Sequence, residues 1–133
     1  MAALHPDRVR ELCLRLPATW EDFPFGPETS VFKVRAGGGV GRMFALTTLT
    51  ASPLSISLKC EPALAVALRA AHPEITGAWH LNKTHWNGVA LDGDLDEAMV
   101  ADLIEDSWDL VVAGLPRRDR ELLAWREKAA GSG

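Results

Sequence analysis

The segment His80-Leu81-Asn82-Lys83-Thr84-His85-Trp86 places two imidazoles, a carboxamide, an ammonium and an indole within seven positions, and the chain then turns apolar through Val89 to Leu91. Such groups can move protons near neutral pH, ligate a metal, or grip a nucleic acid, and spacing discriminates among the three. His80 and His85 are five apart. That is neither the i, i+4 pair of a zinc-protease helix nor a pattern with cysteine ligands nearby, and His5 and His72 could join only through the fold. No metal set is expected. Acid–base work by His80 or His85 with Asp22 or Glu21 is chemically open, but no motif supplies a matching substrate pocket. There is no G-x-S-x-G elbow, and Cys13 falls on the apolar stripe of a helix, where thiols are inert. No catalytic residue and no cofactor are therefore assigned.

Nucleic-acid contact uses the cluster better. Lys83 offers a phosphate charge, Asn82 a two-way hydrogen bonder, His85 a polar contact, and Trp86 or Trp79 a stacking face. The competing reading is structural: His80 and Asn82 satisfy the backbone of a loop, and the tryptophans at 20, 79, 86 and 108 fill the core. A second constellation is Glu21-Asp22-Phe23-Pro24-Phe25-Gly26, with two aromatics bracketing a proline. Its simplest reading is a rigid turn closing the core. The alternative makes Asp22, Phe23 and Phe25, with His80, the rim of a pocket.

The elements that must position these groups follow from periodicity. Val9, Leu12, Cys13 and Leu16 repeat at helical spacing, so 6–16 is expected to be a helix begun by Pro6 and ended by Pro17. Residues 30–36, where Val31, Lys33 and Arg35 alternate with Phe32 and Val34, are joined by a glycine-rich stretch to 42–49 and the two read as a hairpin, with Arg42 opening the second strand. The glycines lack the lysine and following helix of a phosphate loop. Residues 53–60 alternate Leu54, Ile56 and Leu58 with Ser55, Ser57 and Lys59, a third strand. Pro62 opens a helix with an expected stripe of Leu64, Ala67, Leu68 and Ala71. Residues 86–91 form a short strand ending at Asp92-Gly93. Asp94 is expected to cap the next helix, with Val100, Ile104, Trp108 and Val111 as its buried stripe. Residues 116–129 form a final helix and 130–133 a frayed tail. The order α-β-β-β-α-β-α-α with hairpin connections implies one α+β domain, an antiparallel sheet with helices on one side and a core over about 6–115.

Composition bounds the function classes. The chain has 133 residues, 47% of them apolar and 24% charged, which suits one globular domain. No apolar run approaches the roughly 20 residues of a membrane span, and the N-terminus lacks signal-peptide features, so no membrane partner and a cytoplasmic location are expected. Cys13 and Cys60 read as buried free thiols. The net charge of −4 opposes a general nucleic-acid binder, but the charges segregate. Residues 33–83 hold six basic residues against Glu61 and Glu74, while 92–109 hold eight acidic residues and no basic one. A basic face and an acidic helix are implied, each with an ordinary solvated surface as its alternative.

The segments "EDFPFGPETSVFKV", "MFAL", "SLKC", "HLNKTHWNGVALDG" and "LIEDSWDLVVAGLP" resemble, in order and spacing, the MmcQ/YjbR family of small bacterial proteins. The resemblance runs from about Val9 to Leu115. The matching positions are Asp22 to Gly26, Asn82, Lys83, His85, Trp86, Ser107, Asp109 and Leu110, with Trp108 where a tyrosine-like residue is common. The resemblance implies a frataxin-like (CyaY-like) α+β fold and DNA binding by analogy with a double-wing architecture, and it carries no catalytic residues. The hairpin around "RAGGGVGR" looks extended. The expected contacts are Lys33, Arg35, Arg42 and Lys83 to phosphates, with Asn82, His85 and Trp86 adding polar or stacking contacts, and the acidic helix turned away. The alternative is a module whose acidic helix at 94–112 docks a basic protein, or whose NK-x-HW loop and EDFPFG turn line a small-molecule pocket. An enzyme ranks third.

Overall fold

The computed structural model describes residues 4–36, 40–79 and 81–131, with side chains as far as residue 125. The hairpin tip at 37–39, His80 and the tail at 132–133 lie outside the described residues. The elements run α1 (Pro6–Leu14), β1 (Thr19–Asp22), β2 (Ser30–Val34), β3 (Arg42–Thr47), β4 (Ser55–Lys59), α2 (Pro62–Ala71), β5 (Ile75–Gly77), β6 (Trp86–Ala90), α3 (Glu97–Ala113) and α4 (Arg117–Gly131). The six strands form one sheet in the order β1-β2-β3-β4-β6-β5, every neighbouring pair antiparallel. This is the α+β domain expected, with two more strands. β1 and β5 have four and three residues and sit at the two edges.

Alternation divides the sheet into two faces. Phe32, Val34, Ala45, Ile56, Leu58 and Val89 point to one side and join Val9, Leu12, Cys13, Val100, Ile104 and Trp108 in a single core. α1, α2 and α3 all pack on this side. Leu123 of α4 joins the same core, and among the described residues no helix lies on the opposite face. Val31 is buried yet stands outside the main core, as its position on that second face requires. The expected stripe of α3 is buried at every position.

A β-bulge interrupts the β2–β3 ladder: Phe32 pairs with Ala45 but Lys33 with Met43, so Phe44 is extra. Phe44 and Ala45 are both fully buried. The register of β3 with β4 ends at Ala45–Leu58, and one position further lie the carbonyl of Phe44 and the N–H of Lys59. Ser107 of α3 fills this gap. Its hydroxyl donates to the Phe44 carbonyl at 2.6 Å and accepts from the Lys59 N–H at 2.8 Å.

Three expectations change. The cap of α3 is Asp96, whose carboxylate accepts from the Met99 N–H, because the helix begins at Glu97; Asp94 lies in the preceding turn, where its N–H donates to Glu74. α1 stops at Leu14, leaving Leu16 half-buried. The stripe of α2 is not buried: Leu64, Ala67 and Ala71 are exposed and Leu68 half-buried, while Ala65 is the residue that packs inward. α2 lies over β5 and β6 at the edge of the sheet, whereas α3 lies over β3 and β4. The two helices leave a groove between them, and Leu64 and Leu68 of the stripe face that groove.

Cys13 and Cys60 are buried free thiols. Burial pushes the Cys13 thiol up to about 12, with Glu21 adding to the shift. Among the described residues no helix is long and apolar enough to cross a membrane.

Candidate functional site

The helix-free face is built from rows of paired residues. Trp20 pairs with Lys33, Lys33 with Met43, and Lys59 with Trp86, so two lysines and two tryptophans lie toward one end of the face. The next row runs Asp22, Val31, Leu46, Ser57, Gly88 and Thr76. These are mostly small side chains, and they leave the centre of the face shallow. Phe25 and Thr29 from the β1–β2 loop stand on one side, and Trp79 and Leu81 from the β5–β6 loop on the other. Together with Leu46, Ser55 and Ser57 they enclose an open groove of about 520 Å³. Phe25 is 70% exposed and Trp79 77% exposed. The EDFPFG turn therefore does not close the core: its two phenylalanines stand in solvent, and Phe25 forms a rim. Pro24 and the Asp22 carboxylate, which accepts from the Phe23 N–H at 2.8 Å, set the direction of the turn.

The basic residues of this face are held in place. Lys33 Nζ is 2.8 Å from the Asp22 carboxylate, and this pairing, with the Phe23 N–H, holds the Asp22 carboxyl below its usual range. The Arg35 guanidinium lies 4.7 Å from the ring centroid of Trp20, a cation–π distance. On its other side the Trp20 ring presses on the backbone of Gly41, which has φ +88° and no room for a Cβ. Only glycine gives this close approach, and it ties the hairpin to the edge strand.

The expected contact residues separate into two groups. Lys33, Arg35 and Trp86 share the helix-free face, and Lys59 joins them. Arg42 does not: it pairs with Val34 and donates to the Gly114 carbonyl at the end of α3, on the helix side. Lys83 also departs, since its stem covers Gly77 on the helix side at the β5 edge. The bulge and the loop, neither visible as a pattern, cause this division. Asn82 serves its own loop, its side chain accepting from the Thr84 N–H and its carbonyl from the N–H groups of His85 and Trp86. Arg69 of α2 anchors the same loop by donating to the Lys83 carbonyl and to Asn87. His85 is exposed and Trp86 half-buried. Among the described residues no group of three or more His, Cys, Asp or Glu side chains is placed to hold a metal ion.

Lys59 was not among the expected contacts, although the Ser55, Ser57, Lys59 alternation carried its signal. Trp79 was weighed with Trp86 as a stacking face but left out of the expected contacts, because its exposure depends on the course of the 78–85 loop.

The YjbR family model matches residues 14–110. The uncharacterized protein YbdF of Escherichia coli O157:H7 is 37% identical over 119 residues, covering 90% of this chain and 93% of that protein. The uncharacterized protein YjbR of Escherichia coli K12 is 37% identical over 81 residues, 61% of this chain and 69% of its own length. Among solved structures, the Deinococcus radiodurans protein DR2400 superposes with a TM-score of 0.82 at 42% identity, covering 89% of this chain and 86% of that one. A Pseudomonas syringae protein superposes with a TM-score of 0.68 at 28% identity, covering 81% and 99%. With its model matched through the EDFPFG turn, the hairpin strands, the NK-x-HW loop and the Ser107 helix, the chain belongs to the YjbR family.

Proposed function

We propose that the protein binds DNA through the helix-free face of its sheet, and that single-stranded DNA is the form it takes. One observation carries this reading: basic and aromatic side chains share an open sheet surface from which every helix is absent. Bases stack on exposed aromatic rings whatever their sequence, while cations beside them meet the phosphates. Phe25 and Trp79 supply the rings, Lys33, Arg35 and Lys59 the cations, and the shallow floor of Leu46, Ser55 and Ser57 admits flat groups. A duplex would need a convex element to enter its major groove, and the described face is a groove instead. The acidic α3 lies across the sheet from this surface, which removes the main electrostatic objection.

The test is fluorescence anisotropy of a labelled single-stranded 15-mer and of its duplex, from low to near-physiological salt. Binding to the single strand is expected in the micromolar range, with a log–log salt slope of about −2 for three phosphate contacts. Lys59→Glu and Trp79→Ala should each weaken it, whereas Lys83→Glu, on the other side of the sheet, should have a smaller effect. Absence of binding at low salt, or a larger loss in Lys83→Glu than in Lys59→Glu, overturns the assignment.

A further inference from the structure

We infer that the groove between α2 and α3 is a second binding site, for a small amphipathic cation: an apolar body with a hydrogen-bond acceptor and a protonated amine. The groove has a volume of about 370 Å³. Leu64 and Leu68 of α2 face Leu103 and Leu110 of α3 across it, over a floor of Ile75 and Val89. Leu64 is 42% exposed there. An apolar surface left in water at a concave site is favourable to cover, and this volume lies in the range of small-ligand pockets, roughly 300–1,000 Å³. A docked protein helix would instead need an interface above about 1,000 Å², more than this recess offers.

A second observation fixes the chemistry. Asn87, 2% exposed, lines the groove on its sheet side. Its oxygen accepts from Arg69 at 2.9 Å, and its nitrogen reaches the Ala65 carbonyl only at 3.5 Å. A carboxamide nitrogen carries two N–H donors, so among the described residues one of them has no acceptor. A ligand carbonyl or ether would complete it. The charges lining the groove are Glu61, Asp106 and Asp109, against Lys59, whose strand position directs its side chain to the opposite face of the sheet. Arg69 stands behind Asn87 and is engaged by Asn87 and the Lys83 carbonyl. The Cys60 thiol in the same wall is raised by burial and then by the charges of Glu61 and Asp106, with Arg69 acting the other way, so the wall is electronegative. Glu61 caps α2 through the N–H groups of Ala63 and Leu64, leaving Asp106 as the exposed carboxylate of the mouth that would meet the amine.

The experiment is a ¹H–¹⁵N correlation titration of the full chain with three probes of similar size. Procaine carries an ester and a protonated amine, ethyl 4-aminobenzoate keeps the ester without that amine, and 4-phenylbutanoate carries an anion. Procaine is expected to shift the Asn87 carboxamide pair and the amides of α2 and α3, and to bind more tightly than either comparator. Asp106→Asn, at an exposed position, should lower procaine affinity roughly two- to fivefold and leave ethyl 4-aminobenzoate unchanged. Leu64→Trp, which fills the mouth from an exposed position, should abolish binding of both. The proposal is overturned by unshifted groove resonances at millimolar procaine, by equal binding of the anion, or by shifts confined to the helix-free face. It is also overturned if the groove responds only to a basic helical peptide. None of these outcomes depends on whether the protein binds DNA.

Discussion

The Ser107 hydroxyl spends its donor on the Phe44 carbonyl and accepts the Lys59 N–H, so one fully buried side chain closes the ladder where the bulge has opened it. Ser107→Ala leaves both backbone groups unpaired away from water. The expected cost is about 2 kcal/mol, read as a lower urea midpoint with an unchanged slope. A loss below a few tenths of a kcal/mol would mean that water enters the bulge and replaces the hydroxyl. Asp22 is the second informative residue. Its carboxyl is depressed by Lys33 and the Phe23 N–H, so what it contributes to stability is present above the ordinary carboxylate range and is lost as pH falls through its lower folded value. Asp22→Asn should therefore flatten the acid side of the stability profile, measured by urea midpoints between neutral and strongly acidic pH. The same substitution releases Lys33. If the helix-free face binds DNA, it should tighten that binding, roughly two- to fivefold at low salt. Weaker binding in Asp22→Asn would show that Asp22 positions Lys33 instead of competing for it.

At the scale of elements, legibility followed length and alternation. β2, β3, β4 and β6 each have five or six residues, enough for an apolar strand pattern to show even where the bulge interrupts β3, and all four were read from the chain. β1 and β5 are too short for a period to show, and both are edge strands fixed by pairing to a neighbour already in place. α2 illustrates a different limit. Periodicity picked out Leu64, Ala67, Leu68 and Ala71 as its packed stripe, whereas Ala65 is the buried position, and Leu64 and Leu68 face a groove because α3 lies two strands away. The candidate site divided for a related reason. Arg42 and Lys83 were legible as cations, but their side of the sheet depends on the bulge at Phe44 and on the stem of Lys83 lying over Gly77, and neither leaves a mark in the local sequence. Gly77→Ala tests that last contact. A Cβ there would come within 2.9 Å of the Lys83 side chain. The lysine is flexible, so the expected outcome is a displaced Lys83 with a stability loss under about 1 kcal/mol, followed by thermal unfolding and by the Lys83 side-chain resonances.

For the whole molecule, the sheet is a partition between unlike surfaces. α3 carries five acidic residues and no basic one on the helix side, while Lys33, Arg35 and Lys59 stand on the other. The helix side as a whole is not one-signed, since Arg42, Arg69 and Lys83 stand there too, and the charges of the chain sum to −4. A polyanion approaching from a distance meets the net charge, and one within a Debye length, about 10 Å at 0.1 M salt, meets the nearer face. The association rate with single-stranded DNA is thus expected to fall as salt rises, measured by stopped-flow anisotropy. A rate that climbs with salt would mean that the net charge governs the encounter. If the open face binds DNA, it would thereby act as a latch and not as a magnet: its cations take hold only once a strand already lies alongside.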